Sequence, residues 1–280
     1  MTKQTFQPAV KWSGSKRSQA KEILKVFPTE INTYYEPFCG GCSMLMALML
    51  NDNIKVQKYV CSDLNNDLIS LWKEIKTNPH SLIEDYRDLW NGLNATTDRG
   101  EKRKYFEWVR SRFNNERNPS DFLFIMRTTT NGMPRYNSRG EFNNSFHITR
   151  DGMHPHTLSQ IILFWSEMLN KNNVEFRCCS FTEIKPENED DFVYLDPPYA
   201  NTKGMYYGAL EPLSLFNYIR LLPCRFALSY DGKSGNIDNT YAVPEDIYRE
   251  HRYIESGNSS FKRTIGKDRH AIVHESLYFN

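Results

Sequence analysis

The sequence predicts an α/β fold: a doubly wound, mostly parallel, Rossmann-like sheet with a helical insertion. Residues 33–63 read as a strand, a tight glycine turn, an apolar helix and a second strand. Strand-like stretches then disappear and return only after residue 173, at VEFRC, DFVYL, RFALSY and AIVHESLYF. The residues between them show mainly helical periodicity. We therefore expect both ends of the chain to build one sheet domain.

The elements of the first part follow from apolar spacing and from helix-breaking residues. Residues 16–27 carry apolar side chains at helical spacing, and Pro28 ends that helix. TYYEPF is a short strand, and SMLMALML is apolar on all sides, as in a buried helix. KYVCSD is the second strand, which places Asp63 at its carboxyl end.

Helical spacing dominates from Asn65 to about Phe124. The polar loop TTTNGMPRYNSRGEFNNSFH follows, and it is long enough to be a candidate binding loop. A helix near residues 156–170 leads back to the strands. We predict two domains: residues 1–65 and 151–280 form the sheet domain, and residues 66–150 form a mostly helical domain.

The charge of the 280-residue chain is distributed unevenly. The net charge is +1, yet residues 99–150 hold eleven Lys or Arg against five Asp or Glu, so this segment carries +6. Such asymmetry is typical of a phosphate-binding face, and a solvated helix surface is the alternative. No apolar run reaches the length of about 18 residues that a membrane span needs. We expect a cytoplasmic protein with six reduced cysteines and no membrane association.

DPPY, residues 196 to 199, is the sharpest chemical signal. It follows the apolar strand FVYL, so the Asp196 carboxylate lies at a strand end, and Pro197 and Pro198 fix the backbone after it. A carboxylate and a rigid backbone carbonyl could accept the two hydrogens of an exocyclic base amine, while the Tyr199 ring stacks on the base. A strand-terminating turn whose aspartate caps a helix is the alternative.

YEPFCGGCS supports two interpretations. A Cys-x-x-Cys pair suits a metal or a disulfide exchange site, but a metal site needs a second pair at suitable spacing, and Cys178 and Cys179 are adjacent. A redox pair stays possible. The other interpretation is a nucleoside pocket: Gly40 and Gly41 let a ligand approach the backbone, and Asp63 binds ribose hydroxyls. The cysteines are then small apolar wall residues.

These stretches, together with KWSGSK near the N-terminus, resemble the DNA adenine methyltransferase (Dam) family, which uses S-adenosylmethionine. KWSGSK resembles the family's Lys-Trp-x-Gly-x-Lys opening, YYEPFCGG its cofactor motif, and CSDLNNDLISLW its Asp-x-Asn-x-Asp-Leu segment. TTTNGMPRYNSRGEFN is similar to the family's DNA-reading loop, and DPPY to its catalytic motif. The five motifs occur in the same order over most of the chain.

The resemblance implies transfer of a methyl group to N6 of a flipped-out adenine in double-stranded DNA, at GATC or a related site, without a metal. The sheet domain would bind S-adenosylmethionine, and the helical domain would recognise the target. The implied catalytic residues are Asp196, Pro197, Pro198 and Tyr199. The implied cofactor contacts are Trp12, Lys16, Glu36, Phe38, Gly40, Gly41, Asp63 and Asp196. The implied DNA contacts are Lys11, Arg127, Asn131, Met133, Arg135 and Asn137.

Within that set, Lys11 and Arg135 align with guanine-reading residues, Met133 with a residue facing a thymine, and Asn131 with one lodged beside the extruded adenine. Two departures from the family pattern stand out. Cys42 replaces a usual glycine, and NNSFH at residues 143–147 replaces Asn-x-Pro-aromatic-Gly. Methyl transfer to cytosine N4 or to RNA, and a non-catalytic DNA-binding protein, are the alternative functions.

Overall fold

The computed structural model describes residues 7–130, 132, 134–198, 210–234, 237–258 and 272–280. It contains two compact units. The first comprises the described parts of Met1–Gly14 and Leu64–Cys178, and the second those of Ser15–Asp63, Cys179–Gly204 and Gly208–Asn280. The predicted domains, with boundaries at residues 65 and 150, are defined by function and stay a prediction. Among the described residues, no helix is long and apolar enough to cross a membrane.

The predicted α/β class with a mostly parallel sheet is confirmed. In the second unit the strand order is β2-β1-β4-β5-β8-β7, with β6 paired to β5. Strand β1 lies parallel to both β2 and β4, and β5 continues the parallel set beyond β4. Strands β7 and β8 add an antiparallel edge. The strand bounds are β1 Glu30–Glu36, β2 Lys55–Asp63, β3 Glu175–Cys178, β4 Phe192–Leu195, β5 Arg225–Ser234, β6 Ile237–Asp238, β7 Glu250–Asn258 and β8 Ile272–Phe279.

Burial explains the central position of β4. All four residues of this strand, FVYL, are buried, as expected for a parallel strand covered on both faces. Val193 and Leu195 belong to an apolar cluster with Phe226 and Leu228 of β5. Asp196 directly follows this buried strand and therefore lies at the carboxyl edge of the sheet.

A bulge lies where β5 meets β8. The register shifts between Tyr230 and Lys233. A Cβ atom added at Gly232 would lie 2.1 Å from the carbonyl oxygen of His274 on β8. The position therefore excludes any side chain, because the two backbones approach too closely.

Six of the described helices begin at recognisable capping signals. Asn65 accepts a hydrogen bond from the backbone N–H of Leu68 at 3.0 Å, and Asp98 accepts one from Glu101 at 2.8 Å. Proline occupies the first turn of α4, α6, α7 and α8. The helix bounds are α1 Ala20–Ile23, α2 Ser43–Met49, α3 Asn66–Thr77, α4 Pro79–Asn94, α5 Arg99–Glu116, α6 Pro119–Thr128, α7 Pro155–Lys171 and α8 Pro212–Arg220.

The first unit is a helical body formed by α3 to α7 together with β3. Trp72 of α3 packs against Trp165 of α7, with ring centroids 4.7 Å apart, and stacks on Phe176 of β3. The buried face of α5 carries Phe106, Val109 and Phe113, which repeat at helical spacing.

Sequence patterns located most elements and misplaced some boundaries. The helix predicted over residues 16–27 is a short helix, α1, followed by a 3₁₀ turn at Leu24–Val26. Strands β1 and β2 begin earlier than TYYEPF and KYVCSD suggest. Helix α8 and strands β6 and β7 were not predicted.

Candidate active site

Three acidic residues lie at the carboxyl ends of neighbouring parallel strands. Glu36 ends β1, Asp63 ends β2, and Asp196 follows β4 directly. The strands pair in parallel, with Glu36 opposite Cys61 and Tyr35 opposite Val193. Their carboxyl ends therefore share one edge of the sheet, where α/β proteins place their ligand sites.

The glycine turn after β1 is attached to the end of β2. The backbone N–H of Cys39 donates to the carbonyl of Ser62 at 2.9 Å, and that of Gly40 donates to Asp63 Oδ2 at 3.2 Å. Gly40 has a φ of +45°, in the left-handed region that favours glycine. Cys42 also lies in this region, with a φ of +53°, directly before α2. The turn and the Asp63 carboxylate thus form one hydrogen-bonded unit.

The thiols around this turn are buried and protonated. Cys39, Cys42 and Cys61 are free cysteines whose side chains are buried. Burial raises the pKa of the Cys39 thiol to about 11, and it raises the pKa values of Cys42 and Cys61 well above their ordinary range. Reactive redox cysteines have lowered pKa values and solvent access. The environment therefore favours the interpretation of these thiols as apolar wall residues.

Asp196 forms an ion pair with the buried side chain of Lys16. Lys16 Nζ lies 2.9 Å from Asp196 Oδ1 and 3.2 Å from Glu275 Oε2 on β8. Burial raises the pKa of Asp196 to about 6; the Lys16 charge opposes this rise, and the Glu275 charge adds to it. Burial also disfavours the charged form of Lys16, but Asp196 and Glu275 together raise its pKa above the ordinary value. At neutral pH both members of the pair are charged.

Oδ2 of Asp196 has a different environment from Oδ1. No residue in the described part of the chain donates a hydrogen bond to Oδ2. The side chain is 18% exposed, whereas that of Lys16 is only 4% exposed. One oxygen is therefore held by the protein and the other can accept a hydrogen bond from a ligand.

Glu36 is buried next to the glycine turn. Its Oε2 accepts a hydrogen bond from the Tyr34 hydroxyl at 2.8 Å, and the backbone N–H of Leu45 also donates to the carboxyl group. Burial raises the pKa of Glu36 to about 8. The structure places this side chain among protein groups of β1 and α2, and its predicted cofactor contact stays a prediction.

The remaining catalytic and cofactor candidates have various environments. Phe38 is partly buried against Phe181, with ring centroids 5.3 Å apart. Pro197 is buried, Pro198 and Gly41 are partly exposed, and Tyr199 lies outside the described residues. Trp12 belongs to the first unit, where its side chain is partly exposed.

In the first unit, the segment that carries Lys11 is attached to the loop after α6. Lys11 Nζ donates to the carbonyl oxygen of Thr129 at 3.0 Å. The backbone N–H of Ser13 donates to the carbonyl oxygen of Gly132 at 3.0 Å. Burial, together with the charges of Arg150 and Arg127, lowers the pKa of Lys11 to about 8. A lysine within electrostatic range of two arginines indicates a place where an anion or an electronegative base edge would be stabilised.

Arg127 has a structural role in the same region. Its guanidinium donates to the carbonyls of Pro8 and Ala9 at 2.6 and 2.5 Å. Burial lowers its pKa to about 10. Arg127 therefore fixes the segment that carries Lys11, and its predicted contact with DNA stays a prediction.

The loop that carries Arg135 is closed by short backbone pairings and by side chains. Tyr136 pairs with Phe142 across an antiparallel bridge. The amide of Asn137 bonds to Glu141 Oε2 at 2.7 Å and closes the turn at the tip. Arg135 is exposed, and no described residue bonds to its guanidinium. Asn131 and Met133 lie outside the described residues.

Sequence reasoning missed the residues that support these candidates. Glu275 binds Lys16, and the signal was an acid within a mainly apolar strand, AIVHESLYF. Asn144, part of the departure NNSFH, is buried and accepts the backbone N–H of Arg135 at 2.6 Å. Asn114 of α5 bonds to both backbone groups of Phe142. The sequence around Asn114 gave no signal.

Comparison with known proteins agrees with the motifs. The modification methylase StsI of Streptococcus sanguinis is 27% identical over 284 residues, which cover 92% of this chain and 42% of StsI. The type II methyltransferase M1.LlaDCHI of Lactococcus lactis subsp. cremoris is 27% identical over 259 residues, covering 88% and 85% of the two chains. A DNA adenine methylase of Haemophilus influenzae is 32% identical over 198 residues, covering 69% of this chain and 64% of the methylase.

The chain thus spans less than half the length of StsI and about two thirds of the Haemophilus methylase. A family model described as D12 class N6 adenine-specific DNA methyltransferase matches residues 12–217, which include the glycine turn, Asp63, the loop of Arg135 and DPPY. The resemblance inferred from the motifs is confirmed: the chain belongs to the D12 class N6 adenine-specific DNA methyltransferase family.

Proposed function

We propose that this protein transfers a methyl group from S-adenosylmethionine to N6 of an adenine flipped out of double-stranded DNA, at GATC or a related short site. The observation that carries the proposal is that the two oxygens of the Asp196 carboxylate have different environments. Lys16 holds Oδ1 at 2.9 Å, and Oδ2 accepts no hydrogen bond from a described residue. One amine hydrogen could bind there, in a position fixed by a buried ion pair.

The charges at the sheet edge fit the proposed cofactor. Asp63, Asp196 and Glu275 contribute three carboxylates, and Lys16 contributes one ammonium group. The excess of negative charge suits a ligand with a sulfonium centre and an amino group. Gly40 adds a backbone without a side chain beside Asp63, which suits the approach of a nucleoside. The residues that would hold the cofactor are Gly40, Gly41, Asp63 and Phe38.

When bound, S-adenosylmethionine would supply an electrophilic methyl group. The adenine amine is a weak nucleophile because its lone pair is delocalised into the ring. Asp196 Oδ2 and the backbone carbonyl of Pro197 would each accept one amine hydrogen and so direct the lone pair outward. As positive charge develops on the nitrogen, the Asp196 carboxylate stabilises it, and Oδ2 can take the proton that the nitrogen must lose.

Ionisation of Asp196 sets the pH range of this chemistry. A pKa of about 6 leaves the carboxylate charged at neutral pH. Lys16 contributes to this state, since its positive charge lowers the pKa of the buried carboxyl group. The ion pair therefore supports a role for Lys16 in keeping the acceptor ionised, and its predicted contact with the cofactor stays a prediction.

The test is expression in a host without DNA methylation, followed by mass spectrometry of the nucleosides and sequencing of modified bases. We expect N6-methyladenine at one short sequence. Asp196→Ala should reduce it by at least about 10²-fold to 10³-fold, the usual cost of removing a preorganised electrostatic contact. Asp190→Ala is the matched control, because Asp190 is exposed and precedes the same strand, β4.

Two results would overturn the proposal. N4-methylcytosine, or methylation confined to RNA, would assign another acceptor to the same site. Unchanged methylation by a folded Asp196→Ala variant would remove Asp196 from the reaction. Circular dichroism of both variants verifies folding.

A further inference from the structure

Lys16 connects two carboxylates that come from strands two positions apart. Asp196 follows β4, Glu275 lies on β8, and β5 separates these strands in the sheet. Neighbouring strands are about 4.8 Å apart, so the two strands are separated by about 10 Å. A single ammonium group reaches both carboxylates, at 2.9 and 3.2 Å. Lys16 therefore links Glu275 to the acceptor carboxylate.

Lys16 and Glu275 are both held in place by neighbouring secondary structure. The backbone N–H of Lys16 donates to Ser43 Oγ at 3.0 Å, at the first residue of α2. Glu275 pairs in register with Ile254 of β7. The exposed fractions of the Asp196 and Glu275 side chains are 18% and 19%, and that of Lys16 is 4%. The ammonium group is thus buried between two partly accessible carboxylates.

The position of the ammonium group decides which oxygen of Asp196 can bind substrate. An ammonium group has three donors and needs partners for them when it is buried. Glu275 draws one donor away from Asp196, and Lys16 bonds to Oδ1. Without Glu275, the same group could turn towards both oxygens of Asp196 and so occupy Oδ2.

We propose that Glu275 is a positioning residue: it holds Lys16 on Oδ1 of Asp196 and so keeps Oδ2 available for the adenine amine. The inference deepens the proposed function and rests on it for the identity of the substrate. Nothing in it requires Glu275 to touch substrate or cofactor.

The charged groups around the acceptor fix the sign of the expected effect. Lys16 and Glu275 act directly on Asp196, with Lys16 lowering its pKa and Glu275 raising it. Glu36 of β1 interacts with Asp196, and Tyr194 of β4 interacts with Lys16. Removing the negative charge of Glu275 while the others stay must therefore lower the pKa of Asp196.

The experiment compares the wild type with Glu275→Gln, Glu275→Ala and Glu255→Gln. The glutamine variant removes the charge of Glu275 and keeps an oxygen that can accept from Lys16. Glu255 is the matched control, an exposed glutamate on the neighbouring strand β7. The first readout is the titration of the Asp196 carboxyl carbon by ¹³C NMR, in protein with labelled aspartate and with the signal assigned by Asp196→Asn. The second readout is the pH dependence of kcat and KM for DNA methylation.

Glu275→Gln should lower the midpoint of the Asp196 titration by about 0.5 to 1 pH unit, and the acid limb of kcat should move with it. Glu275→Ala should also lower kcat by about 10-fold at pH values where Asp196 is fully ionised, with KM for DNA changed less than about 2-fold. Glu255→Gln should leave both readouts unchanged.

An unchanged Asp196 titration in Glu275→Gln would overturn the inference, as would an unchanged kcat in Glu275→Ala. The titration needs neither DNA nor cofactor. If the wild type fails to methylate adenine, the proposed function fails, and the titration still decides whether Glu275 acts on Asp196.

Discussion

Two carboxyl groups at the sheet edge, those of Asp196 and Glu36, have different protonation states although they lie close together. Asp196, paired with Lys16, has a pKa of about 6, whereas Glu36, bonded to the Tyr34 hydroxyl, has a pKa of about 8. At neutral pH the first is a carboxylate and the second is mainly a neutral acid. The difference follows from the partner, since Asp196 contacts the Lys16 cation and Glu36 contacts a neutral hydroxyl group.

The raised pKa of Glu36 predicts how stability changes with pH. Its folded-state pKa, about 8, lies above its ordinary value of 4.5, so the folded protein retains a proton that the unfolded chain releases. The contribution of Glu36 to the free energy of unfolding is therefore fully present below about pH 4.5 and is lost as the pH rises through about 8. Glu36→Gln, which mimics the neutral acid, should weaken this dependence.

Urea unfolding at about pH 5 and about pH 8.5 measures the effect. The loss of unfolding free energy between these values should be smaller in Glu36→Gln than in the wild type by at least about 1 kcal/mol. Glu30→Gln is the control, an exposed glutamate on the same strand. The same pH dependence in all three proteins would contradict a neutral Glu36.

Arg135 gives a prediction about sequence preference. Its guanidinium is exposed, and its backbone is held on both sides, by Asn144 and Asn143. Arginine binds guanine O6 and N7 with two hydrogen bonds, so Arg135→Ala should relax the preference at one base pair, at a cost of about 1 to 3 kcal/mol. Methylation of a library of site variants, read by sequencing, measures the change.

Arg139→Ala is the matched control, because Arg139 lies in the same loop but pairs with Glu141. It should leave the sequence preference unchanged. An equal loss on all sequences after Arg135→Ala would mean that this arginine contacts phosphate only.

Some of these residues could be found from sequence and others could not, and the distance along the chain explains the difference. Gly40, Asp63 and Asp196 each lie at or shortly after the carboxyl end of a strand, and neighbouring parallel strands end at one edge, so the pattern predicted that they lie near one another. Lys16 and Glu275 lie near opposite ends of the chain. Their contact depends on the placement of β8 next to β5, which no local pattern encodes.

Hydrogen bonds from α5 and from the residue after it hold the loop that carries Arg135. Arg110 and Asn114 are four residues apart and so lie on one face of α5, and Arg117 directly follows the last residue of the helix. They bond to the loop carbonyls of Asn144, Phe142 and Gly140, at 3.0, 3.1 and 2.6 Å. The loop therefore takes its shape from the helix as much as from its own turns.

Asn114→Ala should weaken the attachment of this loop to α5. Asn114 bonds to both the N–H and the carbonyl of Phe142, a buried residue. Loss of these contacts leaves buried backbone groups without partners, at a cost of about 1 to 3 kcal/mol. Amide hydrogen exchange at Phe142 and Asn143 should accelerate by at least about 10-fold, and the sequence preference should broaden.

The control for this prediction is Asn115→Ala, an exposed neighbour on the same helix. Its exchange rates and sequence preference should match those of the wild type. Equal exchange in the two variants would show that the loop keeps its shape without the helix.

Elements with a strong apolar pattern were predicted from the sequence, and elements with a weak pattern were missed. The apolar runs FVYL and SMLMALML were placed correctly because a run of this kind is buried in a core strand or a core helix. EHRYIESGN, which forms β7, carries charges and a glycine and gave no strand signal. It is a strand because β8 provides a hydrogen-bonding edge over its whole length, a tertiary effect that outweighs local propensity.

For the molecule as a whole, the basic segment over residues 99–150 has fewer cations available to bind phosphate than its +6 charge suggests. Of its eleven cations, only Arg103, Arg135 and Arg150 have neither an ion pair nor a side-chain hydrogen bond to the described residues. The others are engaged: Arg99 and Lys102 with Asp151, Lys104 with Glu101, Arg112 with Asp121, Arg117 with Asp67, Arg139 with Glu141, and Arg110 and Arg127 with backbone carbonyls.

This pairing predicts a modest dependence of DNA binding on salt. Each phosphate contact contributes about −0.9 to the slope of log K against log salt concentration. Contacts from the three unengaged arginines set the slope at about −3, whereas eleven contacts would give about −10. Fluorescence anisotropy with a labelled duplex over a range of salt concentrations measures it. Arg150→Ala should reduce the slope by about 1, and Lys104→Ala, which removes a cation already paired with Glu101, should leave it unchanged. A slope near −10 would show instead that the internal ion pairs open and turn to phosphate when DNA binds.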